Sequence, residues 1–149
     1  VDVHAGVDAP CSPDQLFVLV DDLALYPRWL DLVHRAEPVA AADGDERAWS
    51  VDLRARIGPL ARSKRLRMVR SHHEASSRRV TFERRELDGK RHAPWVLHAA
   101  VDGNESASTL QMHLHYGGAL WTGGVLERAL TDQITAGRQR LLEMVQPTH

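Results

Sequence analysis

Val1, Val3, Ala5 and Val7 are interleaved with Asp2, His4, Gly6 and Asp8. That alternation is the period-two signature of a half-buried strand. At Ala9-Pro10 the pattern changes. Ser12 is a good N-cap, Pro13 suits the first helical position, and Asp14 and Gln15 fill the first turn. A helix therefore starts there, with Leu16, Phe17, Leu19 and Val20 as its apolar stripe. Asp21-Asp22 breaks it, and a second short turn carries Tyr26-Pro27-Arg28-Trp29. Pro27 is expected to end any helix at Tyr26. Val33 to Ala40 reads as a strand, followed by a polar turn at Asp43-Gly44-Asp45.

From Arg47 the period is two again. Trp49, Val51, Leu53, Ala55 and Ile57 share one face, with Ser50, Asp52, Arg54 and Arg56 on the other, and Gly58-Pro59 turns the chain. Leu66 and Met68, then Val80 and Phe82, continue the apolar face. After a hairpin signal at Asp88-Gly89 come Trp95, Leu97, Ala99 and Val101. A turn at Asp102-Gly103-Asn104 leads to Leu110, Met112, Leu114 and Tyr116, with Gln111, His113 and His115 opposite. Strands with one apolar and one polar face predict an antiparallel sheet solvated on one side. Gly117-Gly118 and Gly123-Gly124 bracket Trp121. Beyond them, Leu126, Leu130, Ile134, Gly137, Leu141 and Met144 or Val145 recur at helical spacing, predicting one long helix from Val125 to Val145. Gly137 in that stripe is expected to let the helix approach the sheet closely.

The order is strand, two short helical pieces, six strands, long helix. Several pieces resemble the START-like superfamily, which includes polyketide cyclase/dehydrase-like and coenzyme Q-binding proteins. They are the first strand, the helix in APCSPDQLFVLV (9–20), the Asp21-Asp22-Leu23 break and the YPRWL turn (26–30). The Ile57-Gly58-Pro59-Leu60 turn, the DGKRHAPWVL segment (88–97) and the C-terminal helix complete the set. The resemblance covers essentially the whole chain. It implies an α+β helix-grip fold over residues 1–149 as one domain, a curved antiparallel sheet wrapped around the long C-terminal helix. It also implies an apolar cavity between sheet and helix.

Composition adds little to the fold and more to the setting. A chain of 149 residues with 43% hydrophobic content fits one ordinary core. No apolar run is long enough to span a bilayer, and no signal peptide is visible after Val1. Cys11 is the only cysteine, which precludes an internal disulfide and fits a reducing cytoplasm. Net charge is −1, but the middle third is basic: residues 47–92 hold 14 basic and five acidic side chains. The basic residues alternate with apolar ones, so a solvated sheet face with arginines paired to acids is the expected arrangement. Residues 62–70 contain no aromatic to stack on bases, so nucleic-acid binding is not expected. An acidic carrier protein or an anionic ligand is the partner this charge would orient.

The candidate site follows from the apolar faces. Trp49, Leu53, Met68, Phe82, Trp95, Met112 and Tyr116 are expected to line a shared interior with Leu130 and Ile134 of the helix, and Trp29 to stand at its mouth. The plain alternative for each is core packing. Arg70 follows Leu66 and Met68 in phase and is expected to point inward, where a guanidinium binds a carboxylate or enolate oxygen; His72 continues that phase. Tyr26 and Tyr116 can donate to a carbonyl. Arg70, Tyr116 and Tyr26 are thus the candidate catalytic groups. The His113-x-His115 pair lies on the solvent face, and neither a zinc-type cysteine pair nor an HExxH motif occurs, so no metal or other cofactor is expected. Three functions remain open. The first is binding of a small hydrophobic ligand, lipid-, quinone- or polyketide-like. The second is an aromatase/cyclase-like enzyme acting by positioning and oxyanion stabilisation. The third is an interaction module using the basic sheet face.

Overall fold

The computed structural model describes residues 1–42, 47–57, 60–118 and 125–145, and side chains over the same ranges except 55–57, 60, 62, 125 and 126. The turns expected at Asp43-Gly44-Asp45 and Gly58-Pro59, Trp121 with the Gly123-Gly124 pair, and the side chains of Ala55, Ile57 and Leu126 lie outside the described residues.

Strand β1 (Asp2–Ala9) runs into helix α1 (Pro13–Phe17), then a 3-10 helix (Leu23–Arg28). Strands β2 (Val33–Val39), β3 (Ala48–Ile57), β4 (Leu60–Glu74), β5 (Arg79–Arg84), β6 (Trp95–Gly103) and β7 (Ser108–Tyr116) follow, and helix α2 (Val125–Val145) completes the order. The strands form one sheet in the order β1-β7-β6-β5-β4-β3-β2, antiparallel at every pairing. The first strand therefore docks beside the last, and α2 packs across the inner face with Leu130, Leu141 and Val145 buried. This is the helix-grip architecture.

Local chemistry explains the short elements. In α1 the Ser12 hydroxyl accepts from the Gln15 amide while Gln15 Oε1 accepts from the Ser12 amide at 3.0 Å, a reciprocal capping box. The Asp22 carboxylate accepts from the Ala24 amide at 3.0 Å and starts the 3-10 helix. Pro27 lies inside that helix rather than ending it at Tyr26. So short an element forgoes only one N–H at the proline, and the amides of Trp29 and Leu30 both return to the Tyr26 carbonyl, at 3.1 and 2.8 Å. The hairpin from β4 to β5 turns with Arg78 at φ 56°, and Gly89 at φ 72° gives the Asp88-Gly89 turn its left-handed residue.

Gly137 does permit a close approach, but to a different element. A Cβ there would collide with the Trp29 carbonyl. At Gly137 the helix thus meets the end of the 3-10 helix rather than a strand, while its buried side chains pack on the sheet. Bidentate pairing of Arg140 with Asp31, at 2.7 and 2.9 Å, holds the same two regions together at the surface. Several arginines of the basic middle third are paired with acids. Arg65 meets Asp52, Arg78 meets Asp14, Arg79 meets Asp102 and Arg85 meets Glu83. Some of these acids come from flanking segments and others from the block itself.

Candidate functional site

Between the inner sheet face and α2 lies a cavity of about 70 Å³, measured as space open to the centre of a water-sized sphere. By volume it would hold more than one water molecule. Its wall is apolar throughout. Val51, Leu53, Leu66 and Met68 come from β3 and β4, Trp95, Met112 and Leu114 from β6 and β7, and Leu130 and Ile134 from α2. Leu23, Tyr26 and Leu30, on and just after the 3-10 helix, close another side. Alternation puts these residues on one sheet face because each strand offers every second side chain to the interior. A cavity so lined stays dry and favours apolar occupants.

Of the residues expected at the site, Leu53, Met68, Trp95, Met112, Leu130 and Ile134 are on the wall. Trp49, Phe82 and Tyr116 are fully buried but sit behind it. Trp49 packs edge-on against Phe82 at 5.5 Å, and Tyr116 leans on Trp95 at 4.4 Å. Trp29 is not at an entrance. It has no exposure, lying 5.1 Å from the Tyr26 ring beneath Gly137. The indole N–H groups of Trp29 and Trp49 are buried without a hydrogen-bond partner among the described residues. Leu66, Val51 and Leu114 are wall residues that the sequence reading did not name as such, although their phase on the apolar faces was a signal that could have found them. Leu23 and Leu30 carried no such signal, since they belong to no periodic stretch.

Of the candidate catalytic groups, Tyr26 and Arg70 each hydrogen-bond a backbone carbonyl. Tyr26 presents its ring to the cavity, but its hydroxyl donates to the Val20 carbonyl at 2.8 Å. Burial, with Asp21 and Asp22 nearby, pushes its phenol far above the ordinary value of 10, so it remains protonated. Arg70 does point inward and is 8% exposed, yet its Nη1 donates to the Asp21 carbonyl at 3.2 Å rather than lining the cavity. His72 does not continue that phase. A register shift between Arg70 and His72 turns His72 outward and His73 inward, where it stacks on Phe17 and meets Asp21 Oδ2 at 3.1 Å. A bulge places one extra residue on its strand, which exchanges the faces beyond it. Tyr26, Arg70 and His73 thus pin the corner between α1 and the 3-10 helix.

Among the described residues no group of three or more His, Cys, Asp or Glu side chains is disposed to hold a metal ion. No helix among them is long and apolar enough to cross a membrane.

The sequence matches the polyketide cyclase/dehydrase and lipid transport family over residues 1–146. The chain belongs to this family. No curated protein sequence matches it. Solved structures similar to this family member include TTHA0849 from Thermus thermophilus, with TM-score 0.74, 16% identity, and 97% of each chain covered. A START superfamily protein from Mycobacterium smegmatis gives TM-score 0.69 and 14% identity over 97% of this chain and 96% of that one. The Zhui aromatase/cyclase from Streptomyces sp. R1128 gives 0.58 and 14% over 97% and 93%. At these identities the likeness is one of fold.

Proposed function

We propose that this family member binds a small, uncharged hydrophobic molecule, or the apolar part of a larger one, between its sheet and α2. The observation that carries this reading is the cavity wall, where no polar atom among the described residues faces the space. Burial of apolar surface, at about 25 cal/mol per Å², is then the main driving force. The cavity is small beside the ~300–1,000 Å³ of typical ligand pockets. A lipid-, quinone- or polyketide-sized ligand therefore requires α2 to yield, whereas a short hydrocarbon segment does not. Residues 1–149 act as one binding unit in this reading, and the lone Cys11 is in keeping with a cytoplasmic setting.

The aromatase/cyclase alternative draws on the family's description and on the Zhui likeness. It needs a donor or charge directed at the folded chain. Tyr26, Arg70 and Tyr116 are the candidates; the first two are engaged by backbone carbonyls and Tyr116 is not among the residues lining the cavity, which supports carriage over catalysis. An acidic carrier protein would belong to the cyclase reading. Native mass spectrometry of freshly purified protein tests the proposal. A co-purifying species released by organic solvent, with the mass of an apolar molecule, is expected. Protein with no bound species that also fails to take up any of a lipid, quinone and polyketone panel would overturn it.

A further inference from the structure

The outer face of the sheet carries a row of imidazoles that the cavity does not use. His4 of β1 lies opposite His113 of β7, which lies opposite His98 of β6. His98 in turn faces Thr81 of β5, and Thr81 faces His72 of β4. The His4 and His113 rings stack at 4.3 Å with planes 5° apart, and His98 and His113 stack at 5.7 Å. Directly opposed positions bring side chains into contact, and like charges there repel. The row is therefore comfortable when neutral and strained when several rings are protonated.

Beside it lies a depression of about 230 Å³, floored by Ala99 and Ala100 and rimmed by His4, His98, His113, Arg79, Thr81 and Gln111. No carboxylate is among its lining residues. We propose that this depression is a binding site for a tetrahedral oxyanion, a sulfate or phosphate monoester, engaged when the histidine row is protonated. The anion supplies the charge that the row lacks and accepts hydrogen bonds from the ring edges, from Gln111 and from Thr81.

The neighbouring charges set the pH dependence. Arg79 is offset by Asp102, whose two carboxylate oxygens both accept from Nη2, at 3.1 and 3.2 Å. Asp2 on β1 accepts from His113 at 2.8 Å and His115 at 3.0 Å. Glu83 on β5 and Glu74 on β4 flank the far end, Glu74 lying 3.7 Å from His72. With Arg79 so paired, the depression gains positive charge when its rings are protonated. His98 Nδ1 is joined to the Thr81 hydroxyl at 2.8 Å, so Nε2 is the nitrogen left to meet the anion. Partial burial and His113 already hold His98 below its ordinary value of 6.5. A bound anion should raise it, because ligand binding and proton binding are linked.

The probe is inorganic sulfate, whose charge is constant across the range, titrated at fixed ionic strength with chelator present and followed by the histidine ring resonances and, in wild type and variant alike, by the backbone amide resonances of Ala99, Ala100 and Gln111. Saturable shifts at His4, His98 and His113 are expected at about pH 6. Affinity at about pH 8 should be at least tenfold weaker, following the fraction of protonated imidazole. The combined variant His4→Gln, His98→Gln, His113→Gln changes partly or fully exposed positions and should abolish the response. Phosphatidylcholine vesicles doped with phosphatidic acid form the second arm. Vesicle capture at the lower pH without sulfate binding assigns the anion to a lipid headgroup. Sulfate binding without capture assigns it to a free ligand. Binding in neither arm, equal affinity at the two pH values, or binding retained by the triple variant would each overturn the proposal. Wild-type uptake of apolar ligands is unaffected by any of these results, so the cavity's function is judged separately.

Discussion

Replacing Gly137 with alanine opposes two effects of known sign. In an exposed helix interior, alanine is better than glycine by about 1 kcal/mol. Here the new methyl would meet the Trp29 carbonyl well inside contact distance, with the Trp29 Cε3 atom at 3.5 Å beside it. Backbone cannot rotate aside as a side chain can, so α2 must lift from the 3-10 helix. Overpacking of a closed contact costs about 1–3 kcal/mol, and a backbone collision belongs at the upper end. Net destabilisation of about 1–2 kcal/mol is expected after the propensity gain. The assay is urea unfolding of Gly137→Ala beside Ala136→Gly. The neighbouring position is exposed and should show only the propensity cost of about 1 kcal/mol. A Gly137→Ala protein more stable than wild type would refute the seating of α2 on Trp29.

Three further outcomes follow from the same contacts. Tyr26→Phe keeps the cavity wall but leaves the Val20 carbonyl without its 2.8 Å donor, so unfolding should become easier by about 1–2 kcal/mol with apolar-probe affinity unchanged. Arg70→Met should lower stability by about 1–3 kcal/mol through loss of the bond to the Asp21 carbonyl. Selective loss of carboxylate-bearing ligands without loss of stability would instead place Arg70 at the ligand. The third outcome is in acid. His98 titrates below 6.5 in the folded protein because it is partly shielded from water and faces His113, with Glu83 opposing. The unfolded chain therefore takes up its proton first, and the neutral ring's contribution is full above pH 6.5 and lost as pH falls from there towards the native value. Urea midpoints measured against pH should fall over that window in wild type and fall less in His98→Gln.

The strands were legible because the outer face is solvated, so alternate residues within each strand announce their side wherever no bulge intervenes. The capping box at Ser12 and the C-terminal helix were legible because each is written in adjacent residues. What escaped depends on placement across the chain. The bulge between Arg70 and His72 leaves no mark in composition, yet it decides that His73 faces inward. Trp29 has the same identity at a cavity mouth or under a helix, and only the packing of Gly137 separates the two. The row His4, His113, His98 is spread over three strands and becomes a row only through their register. The cavity's lack of polar groups likewise depends on where the Tyr26 hydroxyl and the Arg70 guanidinium are spent.

The central claim is that the space between sheet and α2 receives apolar ligands. It is tested most directly by titrating wild type and Met112→Trp with the uncharged probe N-phenyl-1-naphthylamine, with thermal unfolding as the check on folding. Met112 is on the cavity wall and 5% exposed, so the larger indole must take up the free space. Ile134→Phe provides the same filling from the helix side should the first variant fold poorly. Saturable binding in wild type, weakened about tenfold or more in a folded filled variant, a change of about 1.4 kcal/mol, is the predicted result. Equal affinity in wild type and folded filled variants, or no saturable binding in wild type, would contradict it.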